Sequence, residues 1–460
     1  MELLNELISL IGNPLGAALL IGGIGIALIA KPSRPRLRWF LLAAFGFAAS
    51  LSKHQSQWVE EPPALAFPLD ELRAMGRPIS LVLLGILLLN ILVTQQPNWR
   101  RQLLPTPIVF LAMVQGVIVL KILVYGSLSF AVLTVFIYVA MVVLITFGPS
   151  KWLQCERDFI WAMVSIAMVG IFFAIANLYQ AAIDIYPITF LHGWFLGTTG
   201  NPHHAAVLIV AVLPCLLFFC HHTDQHLWQK WFWRGCLGLA IAGLAATASR
   251  TGLAMGVAAT SVFYWRQGNR LIQLGFIVAL VALTGLTITD LIGLDINLSQ
   301  VFDGAVIKVE RGQDTRSHIF LYFWNNFLDY PLFGRPLVGE RLRFGESSWL
   351  GVAGSLGLAG LIPMVLFGYT TCRMIFRLNN ATYCYPSSIL LVNTVTSGLV
   401  ALLLGGMTEA YLLGNLSFAV LSLFLYLSMG NFLLEVMPNN FAAQPVRNYE
   451  ELNPSLTNIR

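Results

Sequence analysis

The chain has 460 residues, of which 57% are hydrophobic and only 11% are charged, and its mean hydropathy is +0.74. A soluble domain needs a polar surface, so this composition excludes one and indicates a protein that crosses a membrane several times. The net charge of +5 comes from cytoplasmic loops, where basic residues can contact anionic lipid headgroups. We therefore predict no nucleic-acid partner.

Thirteen apolar segments along the sequence are predicted to cross the lipid bilayer. A helix rises about 1.5 Å per residue and needs about 20 residues to cross roughly 30 Å of hydrocarbon. Lipid offers no partner to backbone groups, so each segment is predicted to be an α-helix. The predicted spans are 14–30, 37–51, 78–94, 107–124, 128–147, 159–180, 202–220, 235–248, 252–265, 271–289, 347–371, 387–405 and 410–432. This pattern predicts one all-α transmembrane domain over 1–436, with 12 spans if the first segment is re-entrant and 13 if it crosses.

The positions of lysine and arginine predict which side of the membrane each loop faces. Cytoplasmic loops retain positive charge. With residues 31–38 placed inside, 16 of the 27 basic residues are cytoplasmic and 10 are outside, while Lys121 lies within a span. The alternation puts the polar tail 437–460 in the cytoplasm and the long segment 290–346 outside. In a bacterium, this predicts a multi-pass inner-membrane protein whose large loop is periplasmic.

Several polar features are interpreted as structural. The loop 52–77 is rich in proline and acidic residues, which is typical of a solvated connector. His221, His222, Asp224 and His226 resemble a metal cluster but lie in a cytoplasmic loop without an acid pair, so we predict no metal. The sequence has no nucleotide-binding loop and no paired-cysteine motif, and we predict no cofactor. The six cysteines lie in spans or cytoplasmic loops, which implies no disulfide framework.

Two short motifs mark the starts of predicted spans. In the first, Asn201 is a typical N-cap and Pro202 a typical first helical residue, while His203 and His204 follow as possible donors to a ligand. We therefore take Asn201, His203 and His204 as candidate substrate-binding residues. In the second, Arg250 stands between two short spans, where an arginine costs about 2.5–3.5 kcal/mol. Such a residue either binds a ligand or reaches the lipid headgroups.

The segment 290–346 holds 14 of the 49 charged residues of the chain. Helical periodicity over 316–329 predicts a helix that lies in the membrane interface and begins near Arg316. Its predicted apolar face consists of Phe320, Phe323, Trp324, Phe327 and Leu328. His318 falls on the opposite face and Arg335 in the turn that follows, and both are candidate substrate-binding residues.

The end of the large loop carries a carboxylate directly before a span. Glu346 is placed at a helix N-terminus, where it either caps the helix or acts as a catalytic base, and Ser347 is a second capping or binding candidate. Cations and one carboxylate beside apolar helices suit a lipid-linked phosphate, because the helices bind the tail and guanidinium groups bind the phosphates.

These motifs resemble the O-antigen ligase and polymerase superfamily, which includes O-antigen ligases and Wzy-type polysaccharide polymerases. The similarity covers about 195–364 and rests on residues 200–202, 249–252, Arg316, 331–334, 346–347 and the glycine-rich span 354–360. It implies a metal-independent C-type glycosyltransferase. Such an enzyme transfers glycan from an undecaprenyl-diphosphate donor to a hydroxyl of a glycan or glycolipid acceptor at the periplasmic face. Arg250 and Arg316 match the family arginines thought to engage the diphosphate, and Glu346 stands where many ligases have histidine.

The alternative function is transport, either of small anions such as bicarbonate or of lipid-linked glycans by flipping. Transporters place polar groups in broken helices near the middle of the membrane. Here Lys121 is the main charge within a predicted span, and the other candidates lie at the outer edge. This arrangement favours chemistry at the membrane surface.

Overall fold

The computed structural model describes residues 35–51, 63–94, 104–190, 193–222, 226–265, 315–337, 345–384, 388–414 and 416–441, together with residues 22, 24, 25 and 342. Within these ranges the chain is all-helical and contains no β-strand. The predicted span 271–289, most of the predicted span 14–30 and the end of the predicted tail lie outside the described residues.

The helices are numbered here in chain order. They are α1 Pro35–Leu51, α2 Leu69–Ala74, α3 Gly76–Thr94, α4 Thr106–Tyr125, α5 Leu128–Phe147, α6 Pro149–Trp152, α7 Glu156–Ile183, α8 Pro202–His221, α9 Leu227–Ala246, α10 Arg250–Tyr264, α11 Thr315–Asp329, α12 Ser348–Cys384, α13 Ile389–Thr408 and α14 Phe418–Phe441. Single tight helical turns lie at Tyr186–Ile188, Gly197–Thr199 and Ala410–Leu413. Eleven of the thirteen predicted spans coincide with a helix.

Eight helical segments in the described part of the chain are long and apolar enough to cross a membrane. They comprise α3, α4, α5 with its extension α6, α7, α8, α12, α13 and α14. The protein is therefore a multi-pass helical membrane protein. The remaining predicted spans in the described ranges correspond to α1, α9 and α10, and α1 and α10 contain only 17 and 15 residues.

Helices α8 and α14 lie at the centre of the bundle, and α4 and α5 lie at its edge. Every residue of α8 from Ala205 to Phe219 is buried, and α14 is buried throughout its first half. By contrast, α4 and α5 expose large apolar side chains such as Leu120, Val124 and Phe136. A face of this kind in a membrane protein is suited to contact with lipid tails.

Buried polar side chains within the spans bond to backbone carbonyls of neighbouring helices. Asn393 and Ser397 of α13 donate to the carbonyls of Phe263 and Ala259 in α10, at 2.9 and 2.5 Å. Tyr426 of α14 donates to the Ala211 carbonyl of α8 at 2.8 Å. A polar group in a membrane interior needs such a partner, so these bonds fix how the helices around α8 pack.

Helix α12 is broken inside its apolar segment. Gly357 has φ +62° and ψ −154°, which interrupts the helical hydrogen-bond ladder. The N–H groups of Leu358 and Ala359 donate to the carbonyls of Pro331 and Leu332, at 2.7 and 3.0 Å, rather than to the preceding turn of α12. The segment that follows α11 is thus inserted into the break.

Lys121 of α4 completes the hydrogen bonds at the break. The break frees the Gly354 and Ser355 carbonyls, because their regular donors are the N–H groups four residues later. Arg335 N–H donates to Gly354 at 3.1 Å, and the Lys121 ammonium donates to Ser355 and, at 2.7 Å, to the Phe333 carbonyl. The one charge predicted inside a span is therefore bonded to backbone, and it links α4, α12 and the segment after α11.

The connector before α3 is packed rather than solvated over residues 63–75. Its Ala66 N–H donates to Gln180 of α7 at 2.7 Å, and Tyr179 of α7 donates to the Phe67 carbonyl at 2.6 Å. Arg73 is buried against Asp70, at 3.3 Å, and burial lowers the pKa of its guanidinium. The interpretation of 52–77 as a simple solvated connector is thus wrong for this half. Composition alone does not reveal that α7 offers partners to its backbone.

Two predicted boundaries also change. The predicted span 410–432 begins instead at Phe418, because 410–413 forms a separate tight turn after Glu409. Helix α14 then continues to Phe441, so the predicted tail begins with five helical residues.

Candidate functional site

Three helices begin at the same end of the bundle and meet there. His203, in the first turn of α8, lies 3.2 Å from Ser249, the residue that precedes α10. The same imidazole lies 3.2 Å from the carboxylate of Glu409, at the end of α13. Ser348, the first residue of α12, donates to the Glu409 carbonyl through its N–H at 3.2 Å and its hydroxyl at 2.6 Å. Glu409 therefore joins the starts of α8 and α12.

Asn201 sets the direction of α8. Its side-chain oxygen accepts the N–H groups of His203 and His204, at 2.8 and 3.3 Å, and Pro202 is the first helical residue. The N-cap prediction is confirmed. The side-chain oxygen of Asn201, a candidate substrate-binding group, is instead hydrogen-bonded to the backbone of its own helix. His204 is half-buried, and its Nδ1 is shielded from solvent.

Ser249 and Arg250 form the start of α10. The Ser249 hydroxyl accepts the Gly252 N–H at 3.1 Å, so this serine is the N-cap. Arg250 follows as an exposed first residue of the helix, one position from the serine that contacts His203. The backbone thus places the predicted diphosphate-binding arginine beside the imidazole.

The start of α12 brings Glu346 to this end of the bundle. Ser347 is 1% exposed and accepts the Leu350 N–H at 3.2 Å, so it is a cap rather than an accessible ligand group. Glu346 stands two residues before Ser348, and is therefore within about 7 Å along the chain of the residue bonded to Glu409. It is half-buried, with Oε2 shielded from solvent.

The His203 imidazole makes both of its polar contacts through one nitrogen. Its Nδ1 faces the Ser249 hydroxyl and the Glu409 carboxylate, both at 3.2 Å. A serine–histidine–acid relay needs one ring nitrogen for each partner, so this is not a nucleophilic triad. Ser249 is also 1% exposed. The side chain of His203 is 36% exposed, against 14% for that of Glu409, and no hydrogen bond joins its other nitrogen, Nε2, to a described residue.

The turn after Glu409 is held by a neutral tyrosine. Burial and the Glu409 carboxylate raise the pKa of Tyr411 well above its usual value, so the phenol stays protonated. It donates to the Leu402 carbonyl of α13. The Leu412 N–H donates to the Ser348 hydroxyl at 3.3 Å, which ties the same turn to α12.

Among the described side chains, those of α11 pack against the first part of α12. Ile319 and Phe323 pack on Gly345, and the Phe323 carbonyl would lie 2.6 Å from a Cβ on Gly354. The predicted helix is confirmed as Thr315–Asp329, and Arg316 falls in its first turn, one turn before Ile319. The backbone therefore brings the turn that holds Arg316 toward Gly345, the residue next to Glu346.

The buried face of α11 differs from the predicted one. Phe323 and Asn326 are buried and Phe327 is half-buried, whereas Trp324 and Leu328 are exposed. The prediction placed Phe320, Phe323, Trp324, Phe327 and Leu328 together on a membrane face, but α12 covers part of that face and leaves the rest for lipid. His318 is exposed, and Arg335 lies over the Tyr322 ring, 5.5 Å from its centre, and donates to the Tyr322 hydroxyl.

Sequence reasoning missed Glu409 and Ser348. Glu409 is the acidic residue in the short connection between two apolar spans that the charge pattern places on the same side as Asn201, Arg250 and Glu346. That position was a usable signal, because a carboxylate between two spans needs a partner or a function. The pairing of Glu409 with His203 could not be predicted from the sequence, since 206 residues separate them.

The histidines at the opposite end of the bundle have protein partners. His221 Nδ1 lies 2.9 Å from the Leu217 carbonyl, and its Nε2 lies 3.3 Å from the Tyr264 hydroxyl. Both ring nitrogens are thus engaged without a metal. The five cysteines with described side chains are free thiols.

No protein-family model matches this chain, and no curated protein is significantly similar to it.

Proposed function

We propose that this protein transfers glycan from an undecaprenyl-diphosphate-linked donor to an acceptor hydroxyl at the periplasmic face of a bacterial inner membrane. The observation that carries the proposal is the meeting of three helix starts, those of α8, α10 and α12, around His203, Arg250 and Glu409. Helix N-termini carry partial positive charge, so three of them beside an arginine favour a bound anion.

Different parts of the site suit the diphosphate and the polyprenyl tail of a lipid-linked donor. Arg250 and Arg316 are proposed to bind the diphosphate, since guanidinium groups form paired hydrogen bonds with phosphate oxygens. The exposed apolar faces of the surrounding helices suit the polyprenyl tail. A diphosphate site of this type needs no metal if positive charge is already positioned where the leaving group develops its charge.

The proposed reaction is a substitution at the anomeric carbon of the donor glycan. The acceptor oxygen forms a bond to that carbon, and the bond from the carbon to the phosphate oxygen breaks. The electron pair leaves with undecaprenyl diphosphate, and the acceptor proton passes to a base, for which the sequence pattern predicts Glu346. The diphosphate supplies the driving force, so the protein contributes position and charge.

Transport of small anions or flipping of lipid-linked glycan is the competing proposal. A broken span such as α12 is a feature of transporters, where free backbone groups coordinate the cargo. Here the groups freed at the break are bonded to the segment after α11, to Arg335 N–H and to Lys121. The break therefore supports a structural role more than an ion path.

The test is single replacement of Arg250, Arg316 and Glu346 by alanine. Each variant is assayed in proteoliposomes with an undecaprenyl-diphosphate-linked glycan and a glycan or glycolipid acceptor, and product is separated on gels. We expect each change to lower kcat/KM by about 10²-fold or more, because each removes a charge from the reacting end.

The matched control is Arg373→Ala, an exposed arginine in the far half of α12. We expect it to keep the activity of the unmodified protein. If all three test variants transfer glycan normally at normal protein levels, these residues are not the active site; if the unmodified protein transfers no glycan, the proposed function is wrong. Transport would be favoured if the unmodified protein has no transferase activity but takes up labelled bicarbonate or flips glycan. The same variants should then lose that uptake or flipping.

A further inference from the structure

We propose that His203, held by Glu409, is the base that takes the proton of the acceptor hydroxyl, an inference that rests on the proposed function. The imidazole of His203 is paired with the carboxylate of Glu409. It also stands at the junction of α8 and α10, next to Arg250.

The pairing orients the imidazole and selects its tautomer. A carboxylate only accepts hydrogen bonds, so the Nδ1 that lies 3.2 Å from Glu409 carries the proton. Nε2 then carries the lone pair. The neighbouring Ser249 hydroxyl has two lone pairs, so it can accept both the Gly252 N–H and the Nδ1–H, and its contact with Nδ1 agrees with this tautomer.

The position of Nε2 suits proton transfer. The His203 side chain is 36% exposed, and among the described residues its hydrogen bond and ion pair both use Nδ1, so Nε2 is open to an acceptor hydroxyl. When Nε2 takes the acceptor proton, the ring becomes an imidazolium next to the Glu409 carboxylate, which stabilises that charge. The partly exposed ring then releases the proton to water after the lipid diphosphate has left.

Glu409 is a positioning residue in this scheme. Its backbone carbonyl accepts two hydrogen bonds from Ser348, and the turn after it is held through Tyr411. These bonds fix the carboxylate relative to α12, and the carboxylate in turn fixes the ring on α8. In this scheme Glu346 hydrogen-bonds the acceptor rather than taking its proton.

The test compares isosteric changes that keep hydrogen bonding but remove proton transfer. We expect His203→Gln to lower kcat by about 10²- to 10⁴-fold with KM changed by less than about 3-fold. Glu409→Gln leaves the imidazole in place but removes the charge that stabilises its protonated form, and we expect a kcat loss of about 10-fold or more. Glu346→Gln is expected to lower kcat by less than His203→Gln does, because an amide still hydrogen-bonds the acceptor.

Two further measurements separate chemistry from folding. His221→Gln, at the other end of the same helix, is the matched control and is expected to keep full activity. In His203→Ala, added imidazole is expected to restore part of kcat, which no structural defect would allow. If His203→Gln folds poorly, the kcat of Glu409→Gln and the imidazole rescue of His203→Ala test whether His203 is the base.

The inference and the proposed function fail in different ways. If His203→Gln keeps normal kcat while Glu346→Gln is inactive, the base is Glu346 and the inference is overturned, although glycan transfer stands. If the unmodified protein transfers no glycan, the proposed function itself is rejected, whereas normal transfer by Arg250→Ala, Arg316→Ala, Glu346→Ala and His203→Gln rejects the site and the inference but not the function.

Discussion

Asn201 and His203, both at the start of α8, have different roles. Asn201 places its side-chain oxygen on the N–H groups of His203 and His204, and so closes the helix end. His203 directs its ring away from its own helix, toward Ser249 and Glu409. A capping residue is recognisable from local sequence, whereas the partner of a ring that leaves its helix is not.

Replacement of Asn201 tests the capping role. We expect Asn201→Ala to lower the free energy of unfolding by about 1 kcal/mol, the usual cost of losing an N-cap. Asn201→Ser retains a capping oxygen and is expected to recover most of that loss. The measurement is SDS titration of the protein in mixed micelles. Equal stability of the serine and alanine variants would contradict the capping role.

The break in α12 sets the shape of the bundle at the level of elements. Gly334 and Gly357 both have positive φ, and each lies against the backbone of the other segment. A Cβ on Gly357 would lie 2.6 Å from the Leu332 carbonyl carbon and the Pro331 oxygen. The segment after α11 can therefore enter α12 only where side chains are absent, and this insertion places α11 and Glu346.

Replacement of Gly357 by alanine tests the insertion. The positive-φ, extended conformation of Gly357 is nearly confined to glycine and costs another residue about 1–3 kcal/mol, and overpacking against backbone adds about 1–3 kcal/mol. We therefore expect Gly357→Ala to destabilise the protein by about 2–6 kcal/mol in the same SDS titration.

A glycine in open space provides the comparison for this change. A Cβ on Gly116 of α4 would meet nothing within 4 Å, so we expect Gly116→Ala to be neutral or to stabilise the helix by up to about 1 kcal/mol. Equal effects of the two substitutions would show that the close approach at the break is not required.

At the scale of the whole molecule, the candidate site lies at one end of a bundle in which α8 is central. The starts of α8, α10 and α12 and the end of α13 meet there, as expected if all four belong to the same side of the membrane. The charge pattern independently predicts that this side is the periplasm.

Cysteine labelling tests that orientation. Asp329, at the end of α11, and Cys155, between α6 and α7, are both exposed. We expect Asp329→Cys to react with a membrane-impermeant maleimide in intact cells, and Cys155 to react only after permeabilisation, with sites located by mass spectrometry. The reverse pattern would place the site in the cytoplasm and remove the periplasmic donor from the proposal.

Local sequence was sufficient to predict most of the described helices and where they begin. Hydropathy over about 20 residues reflects the thickness of the bilayer, and cap residues such as Asn201 and Ser249 act over a few positions, so both are local. For this reason 128–147 was predicted at the residues where α5 begins and ends, and the α11 helix within one residue. Arg250 and Glu346 were also identified, because charge beside an apolar segment is conspicuous.

Which helix ends meet depends on tertiary contacts that the sequence does not reveal. The pairing of His203 with Glu409, the packing of α11 on α12, and the use of Lys121 at the break all join residues more than 200 positions apart or depend on a glycine without a side chain. Periodicity shows that a face is apolar but not whether lipid or another helix covers it. These choices depend on hydrogen bonds and close packing between helices, which no local pattern encodes.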